Sequence, residues 1–193
     1  MGVIPDYQTV TETQGRAAPL TVRQKWELAW KESIDPFNLA NAAIGAGFSQ
    51  IGNQTPKYGE GGRAFSERYA AALADFSTQN LFSAGLLASV LHQDPRYFRK
   101  GPEKSGIAHR VLYSIGQVAV ARQDSGRTAF NASGIFGMLL GIAASNIYYP
   151  AASVRGEVMA ARVETSLFGS VTGNLMSEFW PDVQKKFFHR RKP

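Results

Sequence analysis

The chain has 193 residues, a length that fits one domain with a sizeable hydrophobic core. Hydrophobic residues make up 44% and charged residues 19%, which argues against intrinsic disorder over most of the length. There is no cysteine, so a disulfide framework, a thiolate metal site and a cysteine nucleophile are all excluded.

The net charge of +6 comes mainly from the C-terminus. Five bases and no acid lie in residues 185–193, so the rest of the chain is close to neutral and lacks the long basic face of a nucleic-acid binder. We therefore divide the chain into an extended lead-in (1–20), a helical domain (21–184) and a basic tail (185–193).

The first predicted helix begins after Thr21, which forms a capping box with Gln24. Its apolar positions share one face, which we expect to be buried, and the helix ends at Asp35-Pro36. The residues of this face are Val22, Trp26, Ala29, Trp30 and Ser33.

Long segments without charge follow, at 36–56, 76–93, 128–154 and 165–177. Alternation of period two is weak in them, so strands are few. In 111–127 the pattern favours a helix to about Arg122 followed by a loop; the alternative is a hairpin that turns at 124–126. We predict an all-α, single-domain bundle of five to seven helices, with at most one short hairpin.

The uncharged segments fit either a buried core or a membrane. A transmembrane helix needs about 20 apolar residues, whereas 134–149 is shorter and includes polar positions, which favours a buried helix. Glycines at helical spacing predict close contact between helices, within the monomer or between copies. A homo-oligomer is therefore one of the two alternatives. These glycines are Gly134, Gly137, Gly141, Gly169 and Gly173.

The segment 91–98, Leu-His-Gln-Asp-Pro-Arg-Tyr-Phe, has two interpretations. The structural one makes His92 the end of a helix, Asp94 the cap of a turn and Arg96 its anchored partner. The catalytic one pairs His92 with Asp94 as base and orienting carboxylate, with His109 nearby. No nucleophile accompanies the pair, and no phosphate loop, dinucleotide motif or metal-ligand spacing is present. We therefore lean against an enzyme and expect no cofactor and no metal.

Two basic clusters contain aromatic residues and follow apolar helices, a combination suited to an anionic lipid surface. Because the body is nearly neutral, we expect no nucleic-acid partner. The basic positions predicted to contact such a surface are Arg96, Arg99, Lys100, Lys104, Lys185, Lys186, Arg190, Arg191 and Lys192.

Several phrases spread over nearly the whole chain resemble an uncharacterised family of envelope proteins of soil bacteria. They include 31–36 (Lys-Glu-Ser-Ile-Asp-Pro), 91–98, 145–150 (Ser-Asn-Ile-Tyr-Tyr-Pro) and 178–182 (Glu-Phe-Trp-Pro-Asp). The resemblance implies the periplasm or outer membrane and a secretory signal ahead of the matching phrases, so we expect this chain to be the mature form. It implies no activity or ligand. We predict a non-enzymatic envelope protein, membrane-associated or self-associating; the alternative is a carrier of lipid or another small apolar ligand.

Overall fold

The computed structural model describes residues 8–11, 17–51, 58–148 and 156–188. This part of the chain is mainly α-helical, with six helices and a few short strands, as the sequence predicts. The helices are α1 (Val22–Ser33), α2 (Pro36–Ile51), α3 (62–90), α4 (Ile107–Gly116), α5 (Ala132–Ser145) and α6 (Gly156–Phe188). The strands are β1 (Thr9–Thr11), β2 (Gln93–Asp94), β3 (Tyr97–Arg99), β4 (Val120–Gln123) and β5 (Thr128–Phe130).

Helix α3 changes its winding near its C-terminal end. An α-helical part, Gly62–Asn80, continues into a π-helical part, Leu81–Leu87, and ends with a short α-helical part, Ala88–Val90. Helices α1, α2 and α5 all pack against this long helix, which therefore lies at the centre of the bundle. π-helical turns inside α-helices are rare, and those that occur are often located at functional sites.

The strands form two small sheets beside the bundle. Strand β1 pairs in parallel with β3, so part of the predicted lead-in belongs to the folded body. Strands β2, β4 and β5 form an antiparallel sheet in the order β2-β4-β5. The hairpin β4–β5 corrects the predicted helix to Arg122, because the chain reverses at Asp124 and Ser125, and Gly126 has a φ of 83° that glycine adopts without strain.

Helix α1 has the predicted capping box at Thr21, and Ala29 and Ser33 of the predicted face are buried, but the large apolar residues of that face are exposed. Val22 and Trp30 are exposed at 56% and 60%, whereas Lys25 is only 1% exposed. The Lys25 ammonium donates to the carbonyl of Ala88 at 3.0 Å and to the carboxylate of Asp124 at 2.7 and 2.9 Å. These three bonds fix the rotation of α1, so a long basic side chain is buried and large apolar ones face outward.

Two of the predicted glycines lie in close helix contact and three do not. A Cβ on Gly137 would be 2.5 Å from the backbone nitrogen of Ser83, and one on Gly141 would be 2.6 Å from the Cα of Gln79, so α5 packs directly on the backbone of α3. A Cβ on Gly134 would meet the side chain of its own N-cap residue Asn131. Gly169 and Gly173 have nothing within 4 Å of a built Cβ, so within one copy the close-packing prediction is wrong for this pair and for Gly134. Contact between copies stays a prediction.

The close contact at Gly137 generates a test with an internal control. We expect Gly137→Ala to lower the free energy of unfolding by about 1–3 kcal/mol, because the added methyl overlaps the backbone of Ser83. Gly169→Ala meets open space in a helix and is expected to raise it by up to about 1 kcal/mol. Urea unfolding of both variants measures the two changes, and equal effects would contradict the packing described.

Candidate functional site

A fully buried carboxylate, Glu178 of α6, lies at the centre of a cluster of hydrogen bonds. Its two side-chain oxygens accept from the Arg110 guanidinium at 2.7 Å, the Tyr97 hydroxyl at 2.9 Å, and the backbone N–H groups of Lys100 and Gly101 at 3.1 and 2.9 Å. These donors belong to β3, the loop after it and α4. The Glu178 side chain therefore joins α6 to α4 and to the stretch formed by β3 and its following loop.

A second layer of charge surrounds Glu178. Arg99 and Arg110, each 3% exposed, both donate to the backbone carbonyl of Glu178 at 2.7 Å and both contact the carboxylate of Asp182. The carbonyl of Glu178 lies in the turn before Pro181, where a proline interrupts regular helix bonding. Two arginines and two acids thus balance their charges in a buried site, which burial requires.

Burial and neighbouring charges shift the pKa values of Asp182 and Tyr97 in this cluster. Burial opposes ionisation of Asp182, but hydrogen bonds from Arg110 and Arg99 outweigh it and keep the pKa of its carboxyl below the ordinary value. Burial raises the pKa of the Tyr97 hydroxyl, and the negative charge of Glu178 raises it further. The Tyr97 hydroxyl therefore stays protonated and is a fixed donor to Glu178.

The cluster corrects part of the predicted basic surface. Arg99 is buried between Glu178 and Asp182, and Arg96 is bound by two nitrogens to Asp94, so neither presents a free charge to an anionic surface. Lys100 is partly buried with its ammonium 4.9 Å from the centre of the Tyr113 ring.

The other predicted lysines, Lys104, Lys185 and Lys186, are exposed. The last two lie within α6, which extends past the predicted tail boundary to Phe188. Arg190, Arg191 and Lys192 lie outside the described residues.

The segment 91–98 forms a turn rather than a catalytic pair. His92 follows the end of α3 with a φ of 51°, a left-handed conformation that often ends a helix. Asp94 accepts the backbone N–H of Arg96 at 3.1 Å, and the Arg96 guanidinium also donates to the carbonyl of Ala18. The imidazole of His92 is exposed with Asp124 at 3.9 Å, and His109 is exposed on α4, so the catalytic alternative has no assembled geometry.

A small polar cavity of about 160 Å³ lies where α1, α3, β4 and the N-terminal end of α5 meet. The π-helical part of α3 contributes one wall through Ser83 and Ala84. Most of the remaining wall is polar, with carboxyl, amide and guanidinium groups from five helices and strands and from the loops beside them. These residues are Glu32, Asn80, Asp94, Arg96, Gln117, Arg122, Asn131 and Asn174.

Glu32 is the unusual member of this wall. Burial raises the pKa of its carboxyl from 4.5 to about 7; a hydrogen bond with Asn80 lowers it in part, and the charge of Asp35 raises it again. In the described part of the chain no Lys or Arg forms a salt bridge with Glu32, whereas Asp94 in the same cavity is paired with Arg96. Glu32 is therefore the one acid of this cavity without a cationic partner.

The described residues contain no group of three His, Asp or Glu side chains placed to hold a metal ion. None of the helices in the described ranges combines the length and apolarity needed to cross a bilayer.

Large apolar side chains are exposed on two helices that carry no charged residue. On α2 the stripe is Ile44, Phe48 and Ile51, exposed at 58%, 67% and 85%. On α5 it is Phe136, Leu139 and Leu140, exposed at 52%, 40% and 44%. A helix in contact with water usually has charged residues on its outer face, so these stripes are unusual for a surface exposed only to solvent.

Comparisons with protein-family models, with curated proteins and with solved structures give no match. The envelope family therefore remains a prediction from the sequence phrases.

The sequence patterns do not identify the partners in this cluster. Glu178 and Asp182 belong to the segment 178–182 that carries the family resemblance, and no sequence pattern singles out Arg110. One signal was available: Glu178 is the first charge after the uncharged segment 165–177, a position where an acid on an apolar helix needs a buried partner. Lys25 carried no such signal, because its partner Asp124 lies 99 residues away.

We expect Glu178→Gln to lower the free energy of unfolding by about 3–5 kcal/mol, because it leaves the buried Arg110 and Arg99 without their full countercharge. Glu67→Gln is the control, since Glu67 forms a surface ion pair with Arg63 that contributes less than about 1 kcal/mol. Thermal and urea unfolding compare the two, and similar small effects would contradict a central role for Glu178.

The raised pKa of Glu32 predicts how stability depends on pH. The folded protein binds a proton that the unfolded chain has lost, so this group makes the free energy of unfolding fall as pH rises from about 4.5 to 7. We expect Glu32→Gln to remove that decrease, which amounts to roughly 3 kcal/mol at most. Urea unfolding at pH 4.5 and 7.5 compares wild type with variant; parallel pH profiles would contradict the assignment.

Proposed function

We propose that the protein is a non-enzymatic, membrane-associated protein of the cell envelope, and that helices α2 and α5 contact lipid. The observation that carries this proposal is the exposure of large apolar side chains on two helices without charge. Burying such stripes away from water is favourable by about 25 cal/mol per Å² of apolar surface. The envelope location rests on the resemblance of the sequence phrases to those of bacterial envelope proteins.

Lipid accounts for these stripes better than solvent or a spanning arrangement does. Helices of 16 and 14 residues are about 24 and 21 Å long, shorter than a hydrocarbon core of about 30 Å. Amphipathic helices that lie in the interface of a membrane need an apolar face but not this length. The arrangement therefore favours partial insertion from one side of the membrane.

Self-association is the competing explanation of the same stripes. Interfaces between protein copies usually have a polar rim around an apolar centre. The uncharged segments 36–56 and 128–154 extend beyond both stripes and leave no charged residue near them in sequence to form such a rim. This favours lipid over a second copy, and the experiment below distinguishes the two.

The alternative function, a carrier of lipid or of an apolar ligand, has less support. The polar cavity measures only about 160 Å³, which is too small for an acyl chain, and its wall suits water or a polar ligand. The apolar groove beside Trp26, Trp30 and Leu81 is larger, about 530 Å³, but most of it is open to solvent.

The predicted anionic-surface role is now limited, among the described residues, to Lys100, Lys104, Lys185 and Lys186. The loop with the first two packs on α6 around Glu178, and the other two follow Asp182 by about one helical turn. Because the apolar stripes contain no charge, we expect neutral vesicles to be bound, with the lysines adding salt-sensitive binding to anionic lipid.

The test is co-sedimentation with phosphatidylcholine vesicles. Wild type is expected to sediment with them, and the double variant Ile44→Asp/Phe48→Asp is expected to stay in solution, because two new charges cannot enter the apolar phase. The matched control, Ile107→Asp/Leu112→Asp, replaces equally exposed residues of α4 and is expected to bind as wild type does.

Equal loss in both double variants, or no sedimentation of wild type, would contradict the proposal. Sedimentation velocity without lipid gives the remaining outcome: a dimer that the α2 variant dissociates, without vesicle binding, would assign the stripe to self-association.

A further inference from the structure

We propose that the polar cavity between α1 and α3 binds a small molecule carrying a protonated amine, with the ammonium paired to the carboxylate of Glu32. This inference is independent of the proposed membrane contact, because no residue of the exposed stripes of α2 and α5 lines the cavity. It rests on the size of the cavity, on the charges of its wall and on the hydrogen bonds those groups already make.

The volume limits the ligand to a few heavy atoms. At about 160 Å³ the cavity is close in size to one of roughly 150 Å³ that accommodates a six-carbon ring. The wall is polar, so water or a polar ligand fits it and an apolar ligand does not.

The charges of the wall favour a cation. The Arg96 guanidinium already donates twice to Asp94, at 2.9 and 2.6 Å, and once to the Ala18 carbonyl at 2.8 Å. The Arg122 guanidinium lies 4.1 Å from the centre of the Phe98 ring. Arg96 is thus neutralised by Asp94 and Arg122 packs against an aromatic ring, whereas among the described residues Glu32 has no salt bridge with a Lys or Arg.

The amides of the wall leave acceptor atoms for a ligand. The side-chain N–H of Asn80 donates to the carbonyl of Ala29 at 2.8 Å, and that of Asn174 donates to the carbonyl of Ser114 at 3.1 Å. The Asn80 amide also hydrogen-bonds to the Glu32 carboxylate, and the oxygens of both amides still have acceptor capacity. An ammonium has three donors and no acceptor, which matches a carboxylate flanked by amide oxygens.

The pKa of Glu32 supports the same assignment. Burial holds its carboxyl at about 7, so a bound cation would favour the ionised form and release a proton from the protein on binding. Amine binding should therefore weaken as the pH falls below 7.

The experiment titrates wild type with three probes of equal size at pH 7.5: ethanolamine, ethylene glycol and acetate. Isothermal calorimetry and amide chemical shifts of 80–84 and 120–122 report binding. We expect ethanolamine to bind with a Kd of about 1 mM, as suits so small a ligand, and the neutral and anionic probes not to bind.

Two variants and a control locate the site. Glu32→Gln keeps the shape and removes the charge, and is expected to weaken ethanolamine binding by at least about tenfold. Ala84→Leu fills the cavity without changing its charge and is expected to abolish ethanolamine binding. With two variants, the test holds even if one of them folds poorly. Glu27→Gln, on an exposed turn of the same helix, is expected to bind as wild type does.

Absence of ethanolamine binding to wild type would overturn the proposal. So would binding that survives both cavity variants, or equal binding of acetate, which would assign the cavity to an anion.

Discussion

The carboxylate of Glu178 is the interaction on which the polar part of this fold depends. It is fully buried and accepts four hydrogen bonds from β3, the following loop and α4. One of the donors, Gly101, has a φ of 75°, a left-handed conformation that other residues rarely adopt. With its carbonyl also bound by Arg99 and Arg110, Glu178 orients the C-terminal end of α6.

This arrangement reverses the usual distribution of residue types. Long charged side chains, Lys25, Arg99 and Arg110 among them, are buried, whereas many large apolar ones are exposed. The helix contacts at the centre instead use small residues: Gly137 and Gly141 bring α5 onto the backbone of α3, and the ring of Trp26 packs over Gly85. Burying fewer large side chains leaves α2 and α5 with the apolar surface that we assign to lipid.

The helical class, the capping box of α1 and the turn at 92–96 follow from local sequence patterns, and the structure has all three. The rotation of α1 does not follow from them, because the amphipathic pattern assumes that charge faces water. Lys25 is buried only because Asp124, far along the chain, is brought next to it by the β4–β5 hairpin. Glycine spacing likewise predicts which residues share a face, but which face has a neighbour depends on tertiary packing, as Gly137 and Gly169 illustrate.

The most direct test of the lipid-facing surface is the membrane depth of single side chains. Because the chain has no cysteine, nitroxide labels can be placed singly at Phe48→Cys, Leu140→Cys and Ile107→Cys. With vesicles present, electron paramagnetic resonance should show the labels at 48 and 140 accessible to oxygen and shielded from a water-soluble nickel complex, and the label at 107 accessible to nickel. Labels at 48 and 140 that stay accessible to nickel, or that broaden each other's spectra between two copies without lipid, would contradict the account.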